Sequence, residues 1–97
     1  YVKAMWLMLQ QTKSDDYVCS TGISHTVRDL VVYVFDRLDL DWRDHLSTDK
    51  KFMRPEELSH LKGDCSKAVN KLGWEHKYTF ETMLDEMIDY WMEYYEK

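Results

Sequence analysis

Three stretches of the chain have the hydrophobic spacing that is typical of α-helices. Residues Val2–Leu9 are apolar on nearly every helical face. Between Thr26 and Leu38, apolar side chains recur at i, i+3, i+4, i+7, i+8 and i+11, which places them on a single stripe. A second stripe runs from Thr79 to Tyr95, opposite a row of acidic side chains. The pattern therefore predicts one helix over each of these three ranges.

Capping residues strengthen the prediction and add a fourth, shorter helix. Thr26 is followed three residues later by Asp29, which resembles a capping box with Asp in place of the usual Glu. Asp64 can cap a helix of about two turns that ends at Gly73, because glycine suits the left-handed position after a helix. The hydrophobic Trp74 follows directly.

A short run of β-branched and aromatic residues, Tyr17–Thr21, ends at Gly22 and predicts a strand. A strand needs a neighbour for its backbone hydrogen bonds, so a partner is expected near Thr48–Met53 or outside this chain. The sequence shows no internal repeat and no linker. The fold expected for these residues is one compact unit, mostly α-helical, with one or two short strands.

Composition narrows the class of protein. The chain has 97 residues, of which 44% are hydrophobic and 32% charged, as in a small folded soluble domain. Its net charge of −5 disfavours binding to nucleic acid. No run of 18 uncharged apolar residues is present, so no membrane span is expected. The two cysteines fit neither a disulfide framework nor a CxxC metal site, which favours a reducing compartment, here the cytoplasm.

The first predicted helix is unusual because it is apolar all round and has no polar lead-in. Such a helix must be covered by other structure. The sequence therefore predicts that Val2–Leu9 was cut from a larger protein, and that the isolated chain self-associates through this surface or is only marginally stable. A monomer that unfolds cooperatively at high temperature would contradict that expectation.

No arrangement of residues typical of a catalytic or metal site can be identified from spacing. The histidines lie 15 to 20 residues apart without a second ligand at a recognised distance, so solvated or hydrogen-bonded side chains are expected and a metal site is not. The three glycines are too far apart to form a phosphate-binding loop. The cysteines are interpreted as small core residues rather than nucleophiles. The histidines and cysteines are His25, His45, His60, His76, Cys19 and Cys65.

One segment stands out chemically. Arg54 comes directly before the only proline, Pro55, which favours an extended Arg54 and suits the first position of a helical turn. There the guanidinium and the free backbone N–H groups could bind an anion together. Glu57 would lie on the same side and could accept hydrogen bonds from ligand hydroxyls. An ordinary surface ion pair between Arg54 and Glu57 is the alternative interpretation.

The order of motifs resembles that in a known enzyme family. The chain resembles the C-terminal part of the GDP-mannose 4,6-dehydratases, which are extended short-chain dehydrogenases/reductases, over essentially its whole length. The motifs, in order, are Tyr1-Val2-x-Ala4-Met5-Trp6-Leu7-Met8-Leu9-Gln10, Asp16-Tyr17-Val18, Ser20-Thr21-Gly22, His25-Thr26-Val27-Arg28-Asp29-Leu30, Arg54-Pro55-x-Glu57-Leu58, Gly63-Asp64-x-Ser66-Lys67-Ala68, Leu72-Gly73-Trp74 and Phe80-x-x-Met83-Leu84-x-x-Met87.

The resemblance implies an α/β parent enzyme with an N-terminal Rossmann domain that binds NADP and is absent from this chain. Residues 1–97 would be its C-terminal substrate-binding lobe. The parent would be a lyase that converts GDP-mannose to GDP-4-keto-6-deoxy-mannose, the precursor of GDP-fucose and other deoxyhexoses, and would be a homo-oligomer. The family's catalytic and cofactor-binding residues lie upstream of Tyr1, so none is assigned here and the chain alone is expected to be inactive.

Two site residues follow from the same resemblance. Arg54 matches the family arginine that contacts the diphosphate of GDP, and Glu57 matches the acid that reaches the ribose. Arg28 and Lys67 also fall in family motifs but are interpreted as helix-surface structure. The segment over residues 39–51 is shorter than in many family members, and His76 replaces a proline that is usual at that position.

Two other functions remain open at this point. A related nucleotide-sugar reductase or epimerase of the same superfamily would share the Arg54 motif, and upstream residues would distinguish it. A stand-alone helical interaction module, using the acidic helix from Thr79 to Lys97, would require neither a Rossmann domain nor Arg54.

Overall fold

The protein contains three α-helices joined by irregular segments. A computed structural model describes residues 1–96 and places α1 at Val2–Leu9, α2 at Val27–Arg37 and α3 at Phe80–Glu96. The three predicted helices are thereby confirmed in position. Shorter elements are two 3₁₀ turns and a π-helix, at Trp42–Asp44, Lys50–Phe52 and Ala68–Leu72.

The residues pack into two compact units, although the sequence predicted one. Within the described residues, the first unit comprises residues 1–24 and 60–77, and the second comprises residues 25–59 and 78–96. The chain passes between them without a run of Gly, Pro or Ser, which is why no linker was visible in the sequence.

The core of the first unit is a cluster of four buried residues. Ala4 and Ala68 are completely buried, and Leu72 and Trp74 are 7% and 2% exposed. The two alanines allow α1 and the π-helix to approach closely, and the Trp74 indole covers the contact. The partly buried side chains packed on this cluster are Leu7, Met8, Tyr17, Cys19 and Cys65.

The outer side of α1 remains uncovered. Val2 and Leu9 are 78% and 82% exposed, and Met5 and Trp6 are also exposed. The sequence pattern, apolar on all sides, is thus matched by a helix that buries only its Ala4 side in this unit. None of the helices described within residues 1–96 is long and apolar enough to cross a bilayer.

The helix predicted between Asp64 and Gly73 is present as a short π-helix. The Asp64 carboxylate accepts hydrogen bonds from the backbone N–H of Ser66, at 3.0 Å, and from the Ser66 hydroxyl. These two bonds lower the pKa of Asp64. Gly73 adopts φ +66°, a left-handed conformation that ends the helix without a Cβ clash. The Asp64 cap at the start of this helix and Gly73 at its end therefore determine where Trp74 enters the core.

Lys67 ties this helix to the segment that follows α1. Its Nζ lies 2.7 Å from Asp15 Oδ2 and 5.1 Å from the centre of the Tyr17 ring. The hydrogen bond between the Lys67 and Asp15 side chains is the main cause of both pKa shifts: it lowers the pKa of Asp15 and raises the pKa of Lys67. These contacts support the structural role expected for Lys67.

The predicted strand Tyr17–Thr21 is wrong: the part of the chain that the structure describes contains no β-strand. The segment has no regular secondary structure, and its neighbour is Gly63, where a Cβ would lie only 2.7 Å from Ser20 Cβ. The other proposed partner, Thr48–Met53, instead contains a 3₁₀ turn. A strand requires a ladder of paired backbone groups, and one point of close approach does not supply it.

This close approach leads to a stability prediction. Gly63→Ala places a methyl group against Ser20 Cβ and Oγ, at 2.7 and 2.8 Å, and we expect it to lower the free energy of unfolding by about 1–3 kcal/mol. Ser20→Gly removes both atoms, so the double variant should recover most of the loss. Urea unfolding of the four proteins in a double-mutant cycle measures the coupling; additive effects would contradict the contact.

In the second unit, α2 and α3 begin with side-chain caps. Thr26 Oγ1 accepts from Asp29 N–H and Thr26 N–H donates to the Asp29 carboxylate, both at 2.9 Å, which confirms the predicted capping box. Thr79 and Thr82 form a similar reciprocal pair at the start of α3, at 2.8 and 3.1 Å. Each helix thus satisfies N–H groups that it could not bond internally.

The polar contact that joins α2 to α3 is made at Asp85. Its Oδ1 accepts hydrogen bonds from the Tyr33 hydroxyl, at 2.7 Å, and from Arg37 Nε, at 2.8 Å. Beside this contact the Phe80 ring stacks on His25 with ring centres 3.9 Å apart, and Leu84 is 5% exposed. Arg37 Nη2 also lies 4.0 Å from Asp89 Oδ1 on α3. The two helices are therefore joined by the shared Asp85 carboxylate, this longer ion pair and a small apolar contact.

The left-handed residue after α2 is an aspartate. Asp39 has φ +56°, while Leu40 N–H donates to Phe35 O at 2.9 Å and Asp39 N–H donates to Asp36 O at 3.1 Å. These two bonds form a Schellman motif, which reverses the chain at the end of α2. The chain then continues through the two 3₁₀ turns towards Arg54.

The Asp85 contact predicts how stability depends on pH. The hydrogen bonds from Tyr33 and Arg37 lower the pKa of Asp85 below its ordinary value of 3.8, so the folded chain binds this proton less readily than the unfolded chain. The stabilisation is complete above that ordinary value and is lost as the pH falls through the lower folded pKa. We expect Asp85→Asn to reduce the loss of stability between about pH 4 and pH 2.

Urea unfolding across this pH range provides the measurement, and Glu81→Gln, which removes a carboxylate one turn earlier on α3, is the matched control. Asp85→Asn should flatten the pH profile more than Glu81→Gln does. Equal profiles for the two variants would contradict the role assigned to Asp85.

Candidate functional site

The two residues singled out from the sequence are in direct contact. Arg54 Nε lies 2.8 Å from Glu57 Oε1, so the pair forms an ion pair between positions i and i+3. Both side chains face solvent, with 76% and 60% of their surface exposed. The structure thus shows the surface ion pair that was the alternative interpretation, and it brings together the cation and the carboxylate that the sequence placed in one candidate site.

The backbone around them differs from the sequence prediction. The chain bends at Pro55 but no helical turn begins there, so the expected anion site at a helix N-terminus is wrong. Leu58 and Leu61 are 73% and 76% exposed. A short helix depends on burial of an apolar face, and these residues bury none. Anion binding at this segment therefore depends on side chains.

Side chains of both charges surround Arg54 in the sequence. Asp49 caps the turn Lys50–Phe52 by accepting from Lys51 N–H at 3.0 Å, and Lys51 Nζ lies 4.9 Å from the centre of the Phe52 ring. Two lysines and Arg54 thus fall within five consecutive positions. Lys51 Nζ also lies 3.8 Å from Asp49 Oδ2, and Glu56 and Glu57 follow Pro55, so these acids offset part of the positive charge.

The chemistry of the pair suits a nucleoside diphosphate. A guanidinium is always charged and presents five N–H donors in a planar fork that matches phosphate oxygens. An ionised carboxylate only accepts hydrogen bonds, as a pair of ribose hydroxyls would require. The arrangement can bind and orient such a ligand, but it offers no group that is placed for proton or hydride transfer.

The other titratable candidates have structural surroundings. Within residues 1–96, no three His, Cys, Asp or Glu side chains lie where they could hold a metal ion. His45 stacks on Phe35 with ring centres 5.4 Å apart, and His76 lies 6.2 Å from the ring of Trp74. Cys19 and Cys65 are free thiols that pack against the core of the first unit.

Two concave surfaces of the second unit were not predicted from the sequence. An open groove of about 480 Å³ runs between α2 and α3, and a depression of about 550 Å³ lies around Trp42. Arg28 and Arg43 lie 5.3 and 5.8 Å from the Trp42 ring, which supports a structural role for Arg28. A tryptophan in an otherwise polar segment was the only sequence signal for this contact. The groove is lined by Leu30, Val31, Val34, Phe35, Leu38, Leu84, Met87, Ile88, Trp91, Met92 and Tyr95.

Neither concave surface contains the Arg54–Glu57 pair. The groove between α2 and α3 is almost entirely apolar, which suits contact with another apolar surface better than a charged nucleotide. The ion pair and the cations before it are therefore the candidate binding residues of this chain.

Comparison with known proteins identifies the family. The family model described as GDP-mannose 4,6 dehydratase matches residues 1–87. The chain is 51% identical to GDP-mannose 4,6 dehydratase 1 of Arabidopsis thaliana over 89 residues, which cover 92% of this chain and 25% of that protein. It is 35% identical to GDP-mannose 4,6 dehydratase of Homo sapiens over 105 residues, covering 91% and 28%. The corresponding protein of Dictyostelium discoideum is 36% identical over 111 residues, covering 97% and 31%.

The matched region is only a part of each relative. The chain spans about a quarter of the length of the curated relatives it matches. The alignment with the human protein extends over 105 residues although it covers 91% of a 97-residue chain, so it includes residues of the relative that have no counterpart here. This agrees with a shorter segment in this chain. None of these matches favours a reductase, an epimerase or a separate helical module.

Proposed function

This chain belongs to the GDP-mannose 4,6-dehydratase family, and we propose on that premise that it forms the C-terminal substrate-binding lobe of such an enzyme. The full reaction would convert GDP-mannose to GDP-4-keto-6-deoxy-mannose, on the route to GDP-fucose. The observation that carries the proposal is the family match over residues 1–87, together with an exposed arginine–carboxylate pair in the motif Arg54-Pro55-x-Glu57.

Within this function, Arg54 binds the diphosphate of the sugar nucleotide and Glu57 accepts hydrogen bonds from its ribose. The exposure of both side chains supports this assignment, because a ligand can reach them without displacing protein atoms. Lys50 would add favourable electrostatic potential for a nucleotide that carries two phosphate charges, whereas the charge of Lys51 is partly offset by Asp49, 3.8 Å away. The lobe itself contributes binding and orientation.

NADP is the cofactor that the family implies. When bound, its oxidised form would accept a hydride from the sugar and its reduced form would return that hydride to the sugar. The three glycines of this sequence, Gly22, Gly63 and Gly73, do not form the loop that holds a dinucleotide phosphate. The residues present therefore do not fit the cofactor, and we assign no step of the reaction to them.

The proposal extends to the surroundings of the lobe. The exposed apolar side of α1 supports a contact with the NADP-binding Rossmann domain of an extended short-chain dehydrogenase/reductase, since Val2 and Leu9 bury almost nothing in this unit. A homo-oligomer of the full enzyme is proposed from the family alone. Two free, unpaired cysteines agree with a reducing, cytoplasmic location.

A chimera tests the role of Arg54. This chain replaces the aligned quarter of the Arabidopsis GDP-mannose 4,6 dehydratase 1, and turnover of GDP-mannose is measured with NADP present. Arg54→Ala should raise KM by about tenfold to a hundredfold, because charge-assisted hydrogen bonds to the diphosphate are lost, while kcat changes less. The KM of Arg54→Lys should fall between those of the unsubstituted chimera and Arg54→Ala, since lysine keeps the charge but lacks the planar fork of donors.

Lys51→Ala is the control for local charge, because it removes a cation three positions away that carries no assigned ligand contact. A KM unchanged by Arg54→Ala, or raised equally by Lys51→Ala, would contradict the assignment of the diphosphate to Arg54.

A further inference from the structure

We propose that Glu57 is a positioning residue that holds the Arg54 guanidinium in the orientation in which it receives a diphosphate. This rests on the proposed function, because it assigns Glu57 a second task in the same site. The observation behind it is the 2.8 Å separation between Arg54 Nε and Glu57 Oε1.

The backbone explains why these two residues meet. Pro55 lies between them and has a fixed φ, which removes freedom from the bend that separates position 54 from position 57. Residues i and i+3 on the two sides of such a bend lie close together. The ion pair therefore closes a bend that the proline has already restricted.

The atom that Glu57 contacts leaves the rest of the guanidinium available. A single carboxylate beside Nε can reach the Nε–H and one terminal N–H of the fork. Of the five N–H donors, at least three then remain for another acceptor. Because the Arg54 side chain is 76% exposed, a phosphate can approach this remaining edge from solvent.

Pre-orientation has a measurable benefit for binding. A free arginine on a surface samples many rotamers, and a ligand must select one of them on binding. An arginine already held at Nε loses less freedom, which raises affinity for the diphosphate. The negative charge of Glu57 acts in the opposite direction, since it repels an anion at short range.

The two effects can be separated by a pair of substitutions. Glu57→Gln and Glu57→Ala both remove the charge, but only the glutamine keeps an oxygen that can accept a hydrogen bond from Arg54 Nε–H. Positioning therefore predicts that the glutamine variant binds a diphosphate more tightly than the alanine variant. A role limited to the ribose predicts no difference between them when the ligand has no ribose.

Inorganic pyrophosphate is the probe because it carries the diphosphate alone. The full 97-residue chain is titrated with it and followed by NMR, including the Arg54 Nε–H resonance, with dispersed amide spectra as the check on folding. We expect the dissociation constant of Glu57→Gln to be about threefold lower than that of Glu57→Ala. Glu56→Gln and Glu56→Ala, at the adjacent carboxylate, should bind equally.

The outcomes distinguish this inference from the proposed function. Equal affinities for Glu57→Gln and Glu57→Ala, or an Arg54 Nε–H resonance that is the same in the wild-type chain and in Glu57→Ala, overturn the positioning role alone. Pyrophosphate binding that is absent from the wild-type chain overturns the positioning role, and binding that is unchanged by Arg54→Ala overturns the diphosphate role proposed for Arg54 together with it. A difference between the Glu57 variants that disappears when Arg54 is also replaced by alanine supports the inference.

Discussion

Burial of the Trp74 indole against two completely buried alanines is the contact on which the first unit depends. Ala4 comes from α1 and Ala68 from the π-helix, so the smallest side chains stand where the backbones approach and the largest one covers them. Gly73 sets the direction in which Trp74 enters this contact. A larger residue at either alanine would separate the helices, because a close-packed core does not accept extra volume without strain.

The second unit is held together differently. The Asp85 carboxylate on α3 accepts hydrogen bonds from two residues of α2, the Tyr33 hydroxyl and, one turn later, the Arg37 guanidinium. Beyond Leu84, the unit's apolar side chains are only partly buried or exposed, and they line an open groove. Polar contacts of this kind fix geometry more than they supply stability. The second unit is consequently well oriented but weakly buried.

The features that were predictable from the sequence are those determined by neighbouring residues. The capping box of Thr26 and Asp29, and the helix between Asp64 and Gly73, depend on hydrogen bonds that span three residues or fewer and on one left-handed glycine. Two other predictions depended on residues elsewhere in the chain. The strand over Tyr17–Thr21 needed a second strand to pair with its backbone groups, and the helical turn at Pro55 needed a surface against which to bury an apolar face. Residue preferences cannot supply such partners, and both predictions were wrong for that reason. For the site, the sequence and its family resemblance proposed Arg54 and Glu57 as candidates, but neither revealed that Glu57 contacts Nε.

That exposed contact also determines what a substitution at the site can report. An ion pair with both partners in solvent adds little to the stability of a fold, because the charges are screened and two long side chains must be ordered. Changes at Arg54 or Glu57 should therefore leave the fold of both units intact. A loss of binding in these variants then reflects the missing contact with the ligand rather than unfolding. The same exposure that makes the pair a weak structural element makes it a clear functional probe.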